Sequence, residues 1–181
     1  MKVSIFIDGN NFYHGLRATY GKEKSLKKFD FNKFLSHLTK DNIIVNIFYY
    51  NVELDKAHNS EKHKSQKEFF DNLLKIPKLN LILCKLLKRK LKNTKNYYYV
   101  LKEDDIHMAV DMVEQAYEDK FDIAILVSGD GDFVPAVKAV QRKNKIVENI
   151  YFKKSSSRNL KTHCNSSFEL TKEILDKFFN N

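Results

Sequence analysis

Four aspartates stand where an α/β chain can do chemistry. Ile123-Ala124-Ile125-Leu126-Val127 is a run of consecutive apolar residues that stops abruptly at Ser128-Gly129-Asp130-Gly131-Asp132. A run this short and this rich in Ile and Val reads as a strand buried on both faces, as in the centre of a parallel sheet. Apolar residues then resume at helical spacing (Phe133, Val134, Val137, Val140), so Asp130 and Asp132 lie at a strand-to-helix corner. In open α/β sheets ligands bind at such corners, outside the carboxyl ends of the strands. Lys2 to Ile7 repeats the pattern and ends in Asp8-Gly9-Asn10-Asn11. A fourth acid, Asp105, opens a helical segment that runs to Tyr117. If that helix begins at the same edge, four carboxylates converge. Like charges at close range repel unless protons or cations neutralise them. Hard oxygen donors without His or Cys companions favour Mg²⁺ or Mn²⁺ over zinc.

Each acid also has an ordinary structural use. Asp132 before Phe133 can cap a helix, as can Asp104 or Asp105, and Asp8 can be a turn residue. Asp130 has the least local employment, because Gly129 and Gly131 flank it. Asp111 lies off the stripe formed by Ile106, Ala109, Val110, Val113, Ala116 and Tyr117, which directs it to solvent. His14 and His107 are near the acids in sequence, but a lone helix histidine is most often incidental. The calcium-loop series with its distal Glu is missing, as are G-x-G-x-x-G and G-x-x-x-x-G-K-[ST]. No nucleophile motif supports Ser/His/Asp chemistry.

The elements that must position these acids follow from periodicity. The sequence predicts strands at 2–7, 43–50, 79–84, 123–127, 146–152 and 168–170. It predicts helices at about 12–18 (capped by Asn10 or Asn11), 29–38 (capped by Asp30), 60–74, 105–117, 133–142 and 172–179, with a short one leading from Ser155-Ser156-Ser157 to His163. Strands alternating with helices imply a three-layer α/β fold, a mostly parallel sheet with helices on both faces. A chain of 181 residues is sized for one domain, so 1–181 is expected to be a single unit.

Lys and Arg number 32 against 23 acids, a net charge of +9, which favours a polyanionic partner, although a Lys- and Asn-rich composition would give the same excess. No apolar run approaches the roughly 20 residues needed to span a membrane. The Val3–Ile7 patch is too short for a signal peptide, so a cytoplasmic protein is expected. Cys84 and Cys164 have no disulfide or zinc spacing. Between 85 and 99 comes a basic excursion with Lys85, Lys88, Arg89, Lys90, Lys92 and Lys95, no acid, and then Tyr97-Tyr98-Tyr99. It reads as a hairpin returning to the sheet. Its lysines could neutralise phosphates and a tyrosine could stack on an unpaired base, or the segment could be a solvated charged excursion.

Three motifs together resemble a known family. Ile7-Asp8-Gly9-Asn10-Asn11-Phe12, Lys102–Asp105 leading into Met108-Ala109-Val110-Asp111, and Val127-Ser128-Gly129-Asp130-Gly131-Asp132-Phe133-Val134-Pro135 are similar to the motifs of the NYN domain, in its LabA-like branch, a relative of the PIN-domain nucleases. The resemblance implies a Rossmann-like sheet with an acidic metal pocket at its carboxyl edge. On the matching motifs it assigns Asp8, Asp105, Asp130 and Asp132 as catalytic ligands of one or two Mg²⁺ or Mn²⁺ ions. Asn10, Asn11, Asp111 and Ser128 become their supporting neighbours. Two departures stand out: Glu103-Asp104 replaces a frequent Gly-Val, adding negative charge, and Gly131 replaces a frequent Ser, removing a hydroxyl and loosening the turn.

The expected function is metal-dependent endonucleolytic hydrolysis of RNA. Lys85, Lys88, Arg89, Lys90, Lys92, Lys95, Lys153, Lys154 and Arg158 would hold the backbone. The alternatives are an RNA-binding or regulatory module of the same fold, and a metal-dependent phosphoesterase acting on DNA or small substrates. An exposed apolar face could support a homodimer.

Overall fold

Local sequence and burial build a doubly wound sheet. A computed structural model describes residues 1–55, 59–84, 86–90, 97–101 and 103–179, with 86–90 and 97–101 described at the level of backbone pairing. In chain order the elements are β1 (Lys2–Asp8), α1 (Gly9–Tyr20), α2 (Phe31–Thr39), β2 (Ile43–Val52), α3 (Ser60–Leu73), β3 (Leu79–Cys84), β4 (Leu86–Lys90), β5 (Tyr97–Leu101), α4 (Asp104–Tyr117) and β6 (Ile123–Val127). They continue with α5 (Val134–Gln141), β7 (Ile146–Tyr151), α6 (Arg158–His163), β8 (Ser166–Glu169) and α7 (Lys172–Leu175).

Six strands form one parallel sheet in the order β3-β2-β1-β6-β7-β8. Chain direction across the sheet reverses between β1 and β6, the switch point where an open α/β sheet leaves a crevice. Alternation along the strands divides the core. Val3, Ile5, Ile7, Ile125 and Val127 face α1, α2 and α3. Phe6, Ala124 and Leu126 face Met108 and Met112 of α4 and the apolar side of α5. On the first face Phe12 is ringed by Phe29, Phe31, Phe34 and Phe152 at centroid distances of 5.4–5.5 Å. That contact ties α1, which follows Asp8, to the end of β7.

The expected strands and helices are present, with four differences. The basic excursion does form a hairpin, β4 antiparallel to β5, but it stays a separate two-stranded sheet and does not rejoin the main one. Lys85, Lys92 and Lys95 lie outside the described residues. The cap of α1 is Asp8, not Asn10 or Asn11: its carboxylate accepts the Asn11 N–H at 2.8 Å. Helix α4 has no side-chain cap at all, and its preceding residue Glu103 sits at φ 84°. Finally, only half of the expected apolar stripe of α4 packs: Ala109, Val113 and Ala116 meet the core together with Met108 and Met112, and the other half faces out. Met108, Met112 and Ala116 are buried, whereas Ile106, Val110 and Tyr117 are 68%, 55% and 54% exposed. The helix carries apolar residues on two faces, and the unbranched, deformable Met pair fits the sheet.

Candidate functional site

Strand β1 delivers Asp8 and strand β6 delivers Ser128, and the two are joined. Ser128 Oγ donates to Asp8 Oδ2 at 3.0 Å and accepts the Asp130 N–H at 3.1 Å. The other Asp8 oxygen holds the start of α1. Asn11 extends the brace, because its Oδ1 accepts the Gly129 N–H at 3.3 Å and the Ser155 hydroxyl at 3.2 Å. Three neighbouring strand ends, those of β1, β6 and β7, are thus cross-linked through one asparagine. Burial pushes the Asp8 carboxyl up to about 6, against the hydrogen bonds from Asn11 and Ser128; the charges of Asp104 and Asp130 push the same way.

The loop after β7 shapes the corner, and serine spacing alone did not reveal it. A Cβ on Gly129 would lie 1.8 Å from the Ser155 carbonyl oxygen, so only glycine lets the two backbones approach. The Ser157 N–H donates to the Gly129 carbonyl at 2.8 Å. A Cβ on Gly131 would meet the Ser157 hydroxyl at 2.7 Å, so Ser157 occupies the space that a side chain there would take. Beneath the corner, the fully buried Asn149 of β7 donates its amide to the Leu126 and Ser128 carbonyls at 3.2 and 2.8 Å. A polar residue inside an apolar strand run was the available signal for Asn149. The serines gave only the hint that they follow another parallel strand.

Asp130 is not idle. Its Oδ1 accepts the Asp132 N–H at 2.9 Å and caps the 3₁₀ turn Gly131–Phe133 that leads into α5. The capping expected of Asp132 therefore falls to Asp130, and Asp132 is left exposed on the rim. The sequence could not decide between two aspartates two residues apart.

Asp105, in the first turn of α4, comes to the same edge. Its carboxyl is pushed up to about 7, first by burial and then by the charges of Asp104, Asp8, Asp130 and Asp132. Asp111 is half-buried and its Oδ2 accepts the Tyr50 hydroxyl at 2.8 Å, so it does not point to solvent. Tyr50 is the register partner of Asp8, and burial followed by the Asp111 contact raises its phenol well above the usual range. Burial also raises the Cys84 thiol to about 11, with Asp104, Glu103, Asp111 and Asp105 adding to it. Asn10, in the first turn of α1, makes no side-chain hydrogen bond among the described residues.

Of the basic residues, Lys88, Arg89 and Lys90 lie on β4, and the hairpin is rooted between the end of β3 and the start of α4 at the acid edge. Lys153 and Lys154 follow β7 and Arg158 opens α6, all three exposed at that edge.

The donor set suits Mg²⁺ or Mn²⁺ in kind: hard carboxylates, two of them raised first by burial and then by neighbouring acids. Among the described residues no three His, Cys, Asp or Glu side chains close on a single point as they stand. Mg²⁺ seldom requires that, since it keeps several waters and is bound through one or two carboxylates together with substrate phosphate.

Comparison with known proteins places this edge in context. The family model of the NYN domain matches residues 2–171. The chain belongs to the NYN domain family. It is 27% identical over 145 residues to the "Low amplitude and bright protein LabA" of Synechococcus elongatus, covering 78% of this chain and 69% of that protein. A crystal structure of a protein of unknown function from Vibrio parahaemolyticus has the same fold, with a TM-score of 0.68, 23% identity, and coverage of 96% of this chain and 95% of that one. Among the described residues no helix is long and apolar enough to cross a membrane.

Proposed function

We propose that this NYN domain is a metal-dependent ribonuclease that cuts RNA internally. The observation that carries the reading is the crowding of Asp8 and Asp105, brought from two separate elements to one strand edge with Asp130 and Asp132 near enough to raise the Asp105 carboxyl. Such crowding costs stability unless something cationic binds there, and a site of this kind is kept for function.

Asp8, Asp105, Asp130 and Asp132 would hold one or two Mg²⁺ or Mn²⁺ ions, which when bound supply an activated water and charge stabilisation at the phosphate and its leaving oxygen. The chain's own residues do the positioning. The Ser128 hydroxyl and the Asn11 N–H fix the two Asp8 oxygens. Asp130 is aimed by its bond to the Asp132 N–H, and Asn11 and Asn149 hold the backbone that carries it. Lys88, Arg89, Lys90, Lys153, Lys154 and Arg158, with Lys85, Lys92 and Lys95, would neutralise backbone phosphates, so affinity should fall with salt.

Asp130→Asn keeps the shape and removes the charge. With Mn²⁺ and single-stranded RNA it is expected to lose on the order of 100-fold or more in cleavage rate, and Mn²⁺ affinity should fall with it. Full activity in a folded variant would end this reading.

A further inference from the structure

We propose that the cavity of about 360 Å³ between α1, the end of β7 and the start of α7 receives one unpaired nucleotide of the RNA strand, a few positions from the phosphate that is cut. This rests on the ribonuclease reading and adds to it the place where the strand is gripped. Three observations carry it.

First, the cavity lies beside the acid edge along the chain. Lys153 and Lys154 line it, and the next residue, Ser155, bonds Asn11 and lies against Gly129. Along α1, Ala18 lies seven residues beyond Asn11, about 10 Å at helical rise, within reach of a strand lying across the aspartates.

Second, the floor is apolar. Phe152 and Leu170 are buried there, and Phe152 packs so closely on α1 that a Cβ on Gly15 would sit 2.2 Å from its ring. The floor therefore offers apolar side-chain surface, not a free ring face, for an unpaired base to lie against.

Third, the rim carries both signs. Lys153 has no partner among the described residues, and Lys154 Nζ makes only a long 3.4 Å contact with the Ala18 carbonyl, so both ammonium groups can meet phosphate. Lys172 is spoken for by Asp176 at 2.9 Å. Glu169 and Glu173 share the rim. They would repel a bare anion, but carboxylates accept hydrogen bonds from the hydroxyls of a ribose and the amino groups of a base. The 2′-hydroxyl is a donor that DNA lacks, which favours an RNA strand.

The test is length dependence in the full chain. Binding of fluorescent ribo-oligonucleotides is read by anisotropy without divalent ions at low salt, and cleavage is read with Mn²⁺. The wild type is expected to prefer an octanucleotide to a dinucleotide. Ala18→Phe fills the cavity from an exposed helix position and should weaken octanucleotide binding about five-fold or more, with no matching loss on the dinucleotide. Lys153→Glu should do the same through charge, with a smaller salt dependence. An Ala18→Phe protein that binds the octanucleotide like wild type overturns the assignment. So does uridine monophosphate binding that Ala18→Phe abolishes while octanucleotide binding is untouched, since the cavity would then serve a free nucleotide. Length-dependent binding lost in Ala18→Phe, in a chain that cleaves nothing, supports the cavity and removes the ribonuclease reading.

Discussion

Helices α1 and α4 both begin beside the acid edge, but the Asp8 carboxylate caps α1 and is itself held by Asn11 and Ser128, whereas α4 starts from Glu103 at φ 84° without a side-chain cap. The two starts present their aspartates in different states. Asp8 has both oxygens already engaged by hydrogen bonds that favour its ionised form, and burial still raises it to about 6. Asp105 lacks such support and stands higher, at about 7, among four neighbouring acids. The β1–β6 side is a preorganised fixture. The α4 side is a set of charges awaiting a counter-charge. A divalent ion bound between them would relieve the second more than the first.

Packing of α4 gives the largest test. Met108→Ala, cut from the face that meets the sheet, should cost about 2 to 5 kcal/mol. Val110→Lys, on the exposed apolar face, should change stability by no more than about 0.5 kcal/mol. Denaturant titration of both separates the faces; similar costs would mean that the helix packs through both. A smaller effect is expected at its start. A left-handed backbone suits glycine, and the family's frequent Gly falls on this position, so Glu103→Gly should gain about 1 kcal/mol while removing a charge from the acid edge. A loss of stability would show that the Glu103 side chain holds the helix in place.

The pH dependence sharpens the contrast between the two acids. In the folded chain Asp8 and Asp105 keep their protons to about 6 and 7, while unfolded they release them near 3.8. The folded state therefore binds more protons across this window, and the stability of metal-free protein falls as pH rises from about 4 to 7, with no contribution below it. Asp176, held down by Lys24, Lys172 and Tyr20, acts in the opposite sense and only below about pH 4. Melting curves of Asp105→Asn should show a shallower decline that levels off through about 6, the Asp8 value, instead of about 7. Mn²⁺ should restore stability on the alkaline side. A flat profile in the chelated wild type would contradict the crowding.

Much of this architecture is legible in the residue pattern. Continuous apolar runs give buried parallel strands, and a run followed by small residues and an acid marks a strand end. That is why Asp8 and Asp130 were found together with the edge they share. Helix α4 carries a second apolar face: Ile106, Val110 and Tyr117 recur at helical spacing as well as Met108 and Met112 do, yet they are exposed. A stripe drawn through that exposed face turns Asp111 toward solvent, although it bonds Tyr50. The caps failed for a different reason. Asp8, Asn10 and Asn11, or Asp130 and Asp132, are interchangeable in type, and which one reaches an N–H depends on where the backbone turns.

Hydrophobic period and residue type are local properties, and they set the alternation of strands and helices, the parallel sheet these must form, and the acids at its carboxyl edge. Tertiary structure alone decided the rest. Ser155 closing on Gly129, Asn11 joining three strand ends, Asn149 gripping the Ser128 carbonyl and the cavity beside Lys153 all depend on segments far apart in the chain. Such contacts arise from which elements become neighbours in the sheet, and no window of sequence contains that information.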